Sequence, residues 1–324
     1  MKAIVYHNYG SPDVLSLEEV AKPTPKDDEV LVKVHAAAAN AGDIYRMHGK
    51  PFLIRLMGGG LFQPTNKILG SDIAGRVEAV GRNVTAFQPG DEVFGDLSEN
   101  GCGGFAEYAC IPEAILALKP ATLSFEEAAA VPMASVTALN GLRDYGQIQA
   151  GHTVLINGAS GGVGSFAVQI AKALGAEVTA VCSTGKMEMV RSLGADHVID
   201  YTQEDFTQNG QQYDLILAAN GNRHPSEYKR LLTPQGVYVC TGGSMKQLFQ
   251  TMLLGGLMSK KGGQTVTAFE SKPNHKDLTF MTELLEAGKV APVIDKRYSF
   301  AETPDAMRYL EQGHAKGKVV IAVA

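Results

Sequence analysis

The stretch of this sequence best placed to do chemistry is Asn157-Gly158-Ala159-Ser160-Gly161-Gly162-Val163-Gly164. It follows an apolar run, Val154-Leu155-Ile156, and leads into a helical pattern over 164–174. Glycines at a strand-to-helix turn let backbone come close to a pyrophosphate, and the unpaired N–H groups at the helix start face the anion. In the fingerprint G-x-G-x-x-G, Ala159 stands where the strict first glycine would be; Gly161 and Gly164 keep the other two places and Gly158 adds a third. Gly161 is expected to admit the pyrophosphate, and Gly164 to let the helix lie against the strand. A bare glycine motif is weak evidence. Between this strand and this helix it predicts a dinucleotide site rather than a plain tight turn.

The next strand end decides which dinucleotide. A site for the unphosphorylated form places Asp or Glu there, to hold the ribose 2′-hydroxyl. Here the strand ends Val181-Cys182-Ser183-Thr184-Gly185-Lys186, with no acid. Ser183 and Thr184 can donate hydrogen bonds, and Lys186 brings a positive charge to the next helix start. That set suits a 2′-phosphate, hence NADPH. Tyr201, ending the following strand, can add a hydroxyl. The plain alternative for Lys186 is a solvated surface lysine.

These residues need a scaffold. Strand patterns at 153–157, 177–182, 197–200, 214–218 and 236–240 alternate with helical ones at 164–174 and 186–193, the helices stopped by Gly175 and Gly194. This spacing predicts a doubly wound parallel sheet. Before it, the first ~120 residues read as a small barrel of short strands, such as 30–35, 73–81 and 105–110, separated by glycine turns. Ser124 and Glu127 form a capping-box signature opening a helix at 125–130. After residue 270 the pattern turns helical (276–287) and closes on strands at 296–300 and 319–323. The expected domains are 1–123 with 271–324, and 124–270.

The chain has 324 residues, 29 Lys and Arg against 34 Asp and Glu, and a net charge of −5. A mildly acidic chain without a block of like charge excludes nucleic acid as an expected partner. Its four cysteines form no C-x-x-C pair and read as reduced thiols. The longest apolar stretch, 248–258, is too short for a bilayer span. With no signal-peptide pattern before strand-like residues 2–6, a cytoplasmic protein is expected.

The layout resembles the medium-chain dehydrogenase/reductase superfamily. Where zinc alcohol dehydrogenases of that superfamily carry metal ligands, this sequence has Asn40, Gly70-Ser71-Asp72 and a position near Met133. Asn and Ser are poor zinc ligands, so no metal is expected. The stretches 40–45, 158–164, 192–201 and 317–321 are most similar to the zinc-free quinone oxidoreductase, or zeta-crystallin-like, branch. That resemblance implies an α/β fold, with a GroES-like β-barrel catalytic domain and a Rossmann doubly wound parallel sheet. It places Asn40 and Tyr45 at the nicotinamide and substrate pocket, Lys186 and Tyr201 on the 2′-phosphate, and Thr137 near the nicotinamide and phosphates. Lys316 or His314 would supply a C-terminal cation. Asn220, Cys240 and Gly242, at the ends of later strands, complete the expected cofactor contacts. The family also pairs the strand at 265–269 with its symmetry mate, implying a homodimer.

The implied reaction is hydride transfer from NADPH to a quinone or to the β-carbon of an α,β-unsaturated carbonyl. Tyr45 is then the candidate hydrogen-bond donor to the developing oxyanion, and Asn40 a candidate to orient the carboxamide or a bound water. Other readings stay open. Proteins of one fold can bind NADPH as sensors or structural proteins, and a zinc-type alcohol dehydrogenase is a third option. Tyr45 could simply pack, Cys240 could be a core thiol, and Asp43 could serve a local turn. Asp72 reads as hydrogen-bonded structure, and His7, His35 and His48 as solvated side chains. The Met- and Leu-rich 245–258 reads as dimer surface or core rather than a lid. Phe52, Leu53, Leu56 and Met57 hint at an apolar acceptor.

Overall fold

The computed structural model describes residues 1–259 and 263–324; the Met57 side chain falls outside what is described. The elements run β1 (Lys2–Val5), β2 (Ser16–Glu19), β3 (Glu29–Ala39), α1 (Ala41–His48), β4 (Asp72–Val80), β5 (Glu92–Asp96), β6 (Tyr108–Pro112), β7 (Leu116–Leu118), α2 (Phe125–Ala129) and α3 (Pro132–Leu139). They continue with β8 (Thr153–Asn157), α4 (Gly162–Ala173), β9 (Glu177–Cys182), α5 (Met187–Ser192), β10 (His197–Asp200), β11 (Tyr213–Ala218), α6 (Pro225–Arg230), β12 (Leu232–Cys240), α7 (Met245–Met258) and β13 (Thr265–Ala268). The last are α8 (His275–Glu286), β14 (Ile294–Ser299), α9 (Thr303–Glu311) and β15 (Lys318–Ala322). The chain divides into two compact units. One comprises Met1–Met133, Lys272–Glu286 and Pro292–Ala324; the other comprises Ala134–Ser271 and Ala287–Ala291.

In the first unit a largely antiparallel sheet runs in the order β14-β15-β3-β4-β5-β7, with β6 also on β3. Its centre, β3, is longer than the run at 30–35 suggested, because Ala36–Ala39 extend it. Alanine has little strand preference of its own. These four are 0–2% exposed, and small side chains let Ala36–Ala39 pair with Val319–Ala322 of β15 on one side while Ala36–Ala38 meet β4 on the other. Tertiary burial overrides propensity here. The core beneath includes Val32, Ile73, Phe105, Leu116 and Ile321.

In the second unit the order β10-β9-β8-β11-β12-β13 is all parallel. Numbered from β8, this is 3-2-1-4-5-6, and the order reverses between β8 and β11, where open α/β sheets bind ligands. Val154, Leu155 and Ile156 are wholly buried, as expected of a strand covered on both faces. β12 begins at Leu232 rather than 236. A register shift between Tyr213 and Leu215 accommodates Pro234, which has no N–H for the ladder.

Candidate cofactor and active site

The turn after β8 is rigidly held. Gly158 and Ala159 N–H groups donate to Val181 O of β9 at 3.2 and 3.1 Å, and Asn157 O accepts from Ala219 and Asn220 N–H at 3.0 and 3.1 Å. Gly158 has φ +81°, and a Cβ there would stand 2.5 Å from Asn220 Cβ. At Gly164 a Cβ would stand 2.1 Å from Gly158 O. Both glycines are therefore demanded by the fold. Gly161 is not: its φ is −84°, and a Cβ would meet only Gly158 O, at 3.7 Å. It opens α4, which has no side-chain cap. A bare, uncapped helix start beside a glycine that the protein's own packing does not require fits a pyrophosphate laid against it. Ser160, Gly162 and Val163 belong to the same turn.

Beside it, Ser183 and the half-buried Lys186 flank the end of β9. No acid ends that strand, but Asp200 ends β10 in register with Cys182. Its carboxylate accepts from Thr202 N–H at 2.9 Å, from Thr202 Oγ1 at 2.7 Å and from Thr184 Oγ1. These bonds, the Thr184 one foremost, hold Asp200 below the usual carboxylate range. Thr184's hydroxyl proton is thus engaged by Asp200. Tyr201 is 56% exposed.

Of the remaining expected cofactor contacts in this unit, Thr137 is buried in α3 and Asn220 is exposed after β11. Gly242 is needed for a close approach, since a Cβ would stand 2.3 Å from Ala219 O. Cys240 is wholly buried within the core around Tyr228 and Tyr238, its Sγ donating to Gly242 O at 3.5 Å. The structure makes it a core thiol with no surface for a ligand.

The first unit carries a second polar assembly. Asn40 stands at the N-cap of α1, and Asp43 Oδ2 accepts its backbone N–H at 2.9 Å. Asp43 Oδ1 accepts from Gly70 N–H at 3.2 Å and Ser71 Oγ at 3.3 Å, so this carboxylate ties α1 to the start of β4. Burial pushes Asp43 up, against the Arg46 guanidinium. The Asn40 side chain turns elsewhere: Nδ2 donates to Asp72 Oδ2 at 3.0 Å and Ala38 O at 3.3 Å, and Oδ1 accepts from Lys318 Nζ at 2.5 Å. Lys318 also donates to Asp72 Oδ2 at 2.8 Å, and Met133 N–H donates to Asp72 Oδ1 at 2.8 Å. Burial and the neighbouring Asp72 raise Asp96 to about 7. Tyr45 lies half-buried on α1. Lys316 and His314 are exposed.

Sequence reasoning singled out Asn40 but passed over Lys318 and Asp96. The available signal for Lys318 was a charge opening the otherwise apolar strand Val319-Val320-Ile321. Of the histidines read as solvated, His7 is exposed as expected, while His35 and His48 are half-buried against neighbours. His35 stacks on Phe125 at 4.2 Å, and His48 and His7 contact Glu311 and Glu18 at 2.6 and 3.1 Å. Phe52, Leu53 and Leu56 are exposed.

Two folding units, one with the doubly wound order and a glycine turn at its reversal, define a dinucleotide-dependent dehydrogenase or reductase. Comparison with known proteins narrows this. Residues 26–121 match a family model described as "Alcohol dehydrogenase GroES-like domain", and residues 193–321 one described as "Zinc-binding dehydrogenase". The chain is 40% identical over 336 aligned positions to 2-methylene-furan-3-one reductase of Solanum lycopersicum, covering 99% of this chain and 79% of that protein. It is 37% identical to the chloroplastic NADPH-dependent alkenal/one oxidoreductase of Arabidopsis thaliana, with the same coverage. The quinone oxidoreductase structure from Coxiella burnetii superposes with TM-score 0.89 at 28% identity, over 100% of this chain and 99% of that one. The chain belongs to the quinone oxidoreductase branch of the medium-chain dehydrogenase/reductase superfamily, and is an oxidoreductase.

A metal named in that family description does not fit the residues here. The oxygens of Asn40 and Asp72 that converge in the first unit are bound to an ammonium, and Met133 contributes a backbone N–H, a donor that repels a cation. Among the described residues, no three or more His, Cys, Asp or Glu are grouped to hold a metal ion.

Proposed function

We propose that this chain is an NADPH-dependent reductase of quinones, or of the C=C bond of α,β-unsaturated carbonyls, working without zinc. The observation that carries this reading is the open cradle at Gly161 beside a strand end bearing Ser183 and Lys186 in place of an acid. The named activities of the relatives support it. The bound dinucleotide supplies the hydride. The chain's own residues would do the rest. The 158–164 turn holds the pyrophosphate, and Ser183, Lys186 and Tyr201 the 2′-phosphate. Thr137, Asn220 and Lys316 are assigned to the remaining cofactor contacts. Tyr45 donates a hydrogen bond to the oxygen on which negative charge develops, and Asn40 orients the reactants. An apolar acceptor suits the exposed Phe52, Leu53 and Leu56.

The test follows NADPH oxidation with a panel of quinones and a panel of enones, alongside metal analysis of the pure protein. Turnover with at least one panel and sub-stoichiometric zinc are expected. Firm NADPH binding with no turnover would make the chain a non-catalytic binder, and stoichiometric zinc would return it to the alcohol dehydrogenase type. In an active enzyme, Tyr45→Phe should lower kcat by about 10²-fold while NADPH affinity holds.

The reading extends to assembly and place. We infer a homodimer, supported by β13 at the edge of its sheet and by Met252, Leu253 and Leu257 exposed on α7. Four free thiols suit a reducing compartment such as the cytoplasm, and no helix among the described residues is long and apolar enough to cross a membrane.

A further inference from the structure

The first unit buries a charge pair that its packing alone does not call for. Lys318 is 3% exposed and Asp72 wholly buried, and their Nζ and Oδ2 lie 2.8 Å apart. Taking both charges out of water is unfavourable enough that a buried pair is often no better than apolar replacements of the same size. Such a pair is weak evidence for a stabilising role, so its other contacts carry the argument.

The pair closes on Asn40. As the N-cap of α1, Asn40 would ordinarily turn its side-chain oxygen to the first N–H groups of the helix. Here the oxygen accepts from Lys318 at 2.5 Å, and the amide nitrogen donates to Asp72 at 3.0 Å. An unconstrained asparagine amide can flip end for end. Here a flip would set its NH₂ against an ammonium and its oxygen against a carboxylate, so one orientation is enforced. Asp43 in turn accepts the Asn40 backbone N–H at 2.9 Å, which fixes the start of α1. Three distant segments, at residues 40, 72 and 318, are thus joined at one amide.

We propose that Lys318 is the resident cation of the barrel unit and a positioning residue for the reaction: with Asp72 it clamps the Asn40 amide in the single orientation that hydride transfer uses. This rests on the reductase reading and deepens it, placing a built-in ammonium beside the positions where the sequence resemblance locates the metal ligands of zinc alcohol dehydrogenases.

The test compares wild type with the double variant Lys318→Met/Asp72→Asn. It removes both charges together while keeping an acceptor for the Met133 N–H. Melting temperature, NADPH affinity by fluorescence titration, and kcat and KM for the best acceptor are read in parallel. The expected result is a folded protein with NADPH affinity and acceptor KM within about threefold of wild type, and kcat lower by at least about tenfold. Asn40→Ala should also lower kcat about tenfold in wild type, yet by less than about threefold in the double variant, because both changes break one unit. A folded double variant with wild-type kcat would reduce Lys318 to the counter-ion of Asp72 and overturn the proposal, as would fully additive losses. If the double variant does not fold, Lys318→Arg decides. It keeps the charge, but its planar fork cannot hold the amide at the same place, so kcat should fall about fivefold at an unchanged melting temperature. Wild-type kcat in that variant would equally overturn the proposal. A wild-type protein that oxidises NADPH with no acceptor sinks the reductase reading and this inference with it; an active wild type and an equally active variant sink the inference alone.

Discussion

At the residue scale, the glycine turn divides its labour in a way that can be measured. Gly161→Ala adds a methyl group with only an ordinary contact at 3.7 Å, in a conformation any residue adopts. It should leave the melting temperature unchanged and weaken NADPH binding by at least about tenfold, because the methyl enters the space assigned to the pyrophosphate. Gly164→Ala forces a Cβ to 2.1 Å from Gly158 O, so it should lower the melting temperature as well. Thermal melts and fluorescence titrations of the two variants check both statements; equal NADPH affinity in Gly161→Ala would remove the cradle. Lys186→Ala should weaken NADPH by roughly 10- to 100-fold and leave NADH nearly untouched, since only the former carries the phosphate this lysine would meet. A parallel loss for both cofactors would relocate the phosphate site. Gly158 and Gly164 were legible as a tight strand-to-helix turn because their part is played through local backbone. The diversion of Thr184's hydroxyl to Asp200 was not, because it depends on two parallel strands lying side by side.

At the element scale, the register of β4 on β5 sets Asp72 opposite Asp96. Burial first, and then the proximity of Asp72, lift Asp96 from 3.8 to about 7. The sign of the stability effect follows. Below pH 4 the carboxyl is protonated in folded and unfolded chains alike. As pH rises from about 4 to 7 the unfolded chain releases this proton while the folded chain keeps it, so stability falls across that window and stays lower above it. Asp96→Asn, which retains an acceptor for the Ser98 N–H, should be more stable than wild type at pH 8 by up to a few kcal/mol, and the difference should vanish near pH 4. Denaturant melts of both proteins across this range test it; a difference independent of pH would place the proton elsewhere. The elements themselves were largely readable. Ser124 does cap α2, accepting the Glu127 N–H at 3.2 Å, and the strand–helix alternation gave the sheet its strands. β3 was read short because alanine carries no strand signal, and β12 because Pro234 looks like an end.

At the scale of the whole molecule, the edge strand β13 and the exposed α7 residues Met252, Leu253 and Leu257 make one testable surface. Sedimentation of the wild type should report a dimer at micromolar concentration. Leu253→Glu combined with Leu257→Glu should shift it to monomer, because two charges cannot be buried unpaired at an apolar interface. A wild-type monomer would end the homodimer reading.

The sequence by itself determined the class of sheet, the glycine turn between β8 and α4 and the charge at the neighbouring strand end. Each is written in residues adjacent along the chain, where periodicity, glycine freedom and helix-terminal N–H groups act locally. Only the tertiary structure decided what surrounds Asn40. Lys318 reaches it across 278 positions of sequence, and Asp72 across 32. Whether a lysine is solvated or sealed against a carboxylate depends on which strands close over it, and that pairing has no local signature.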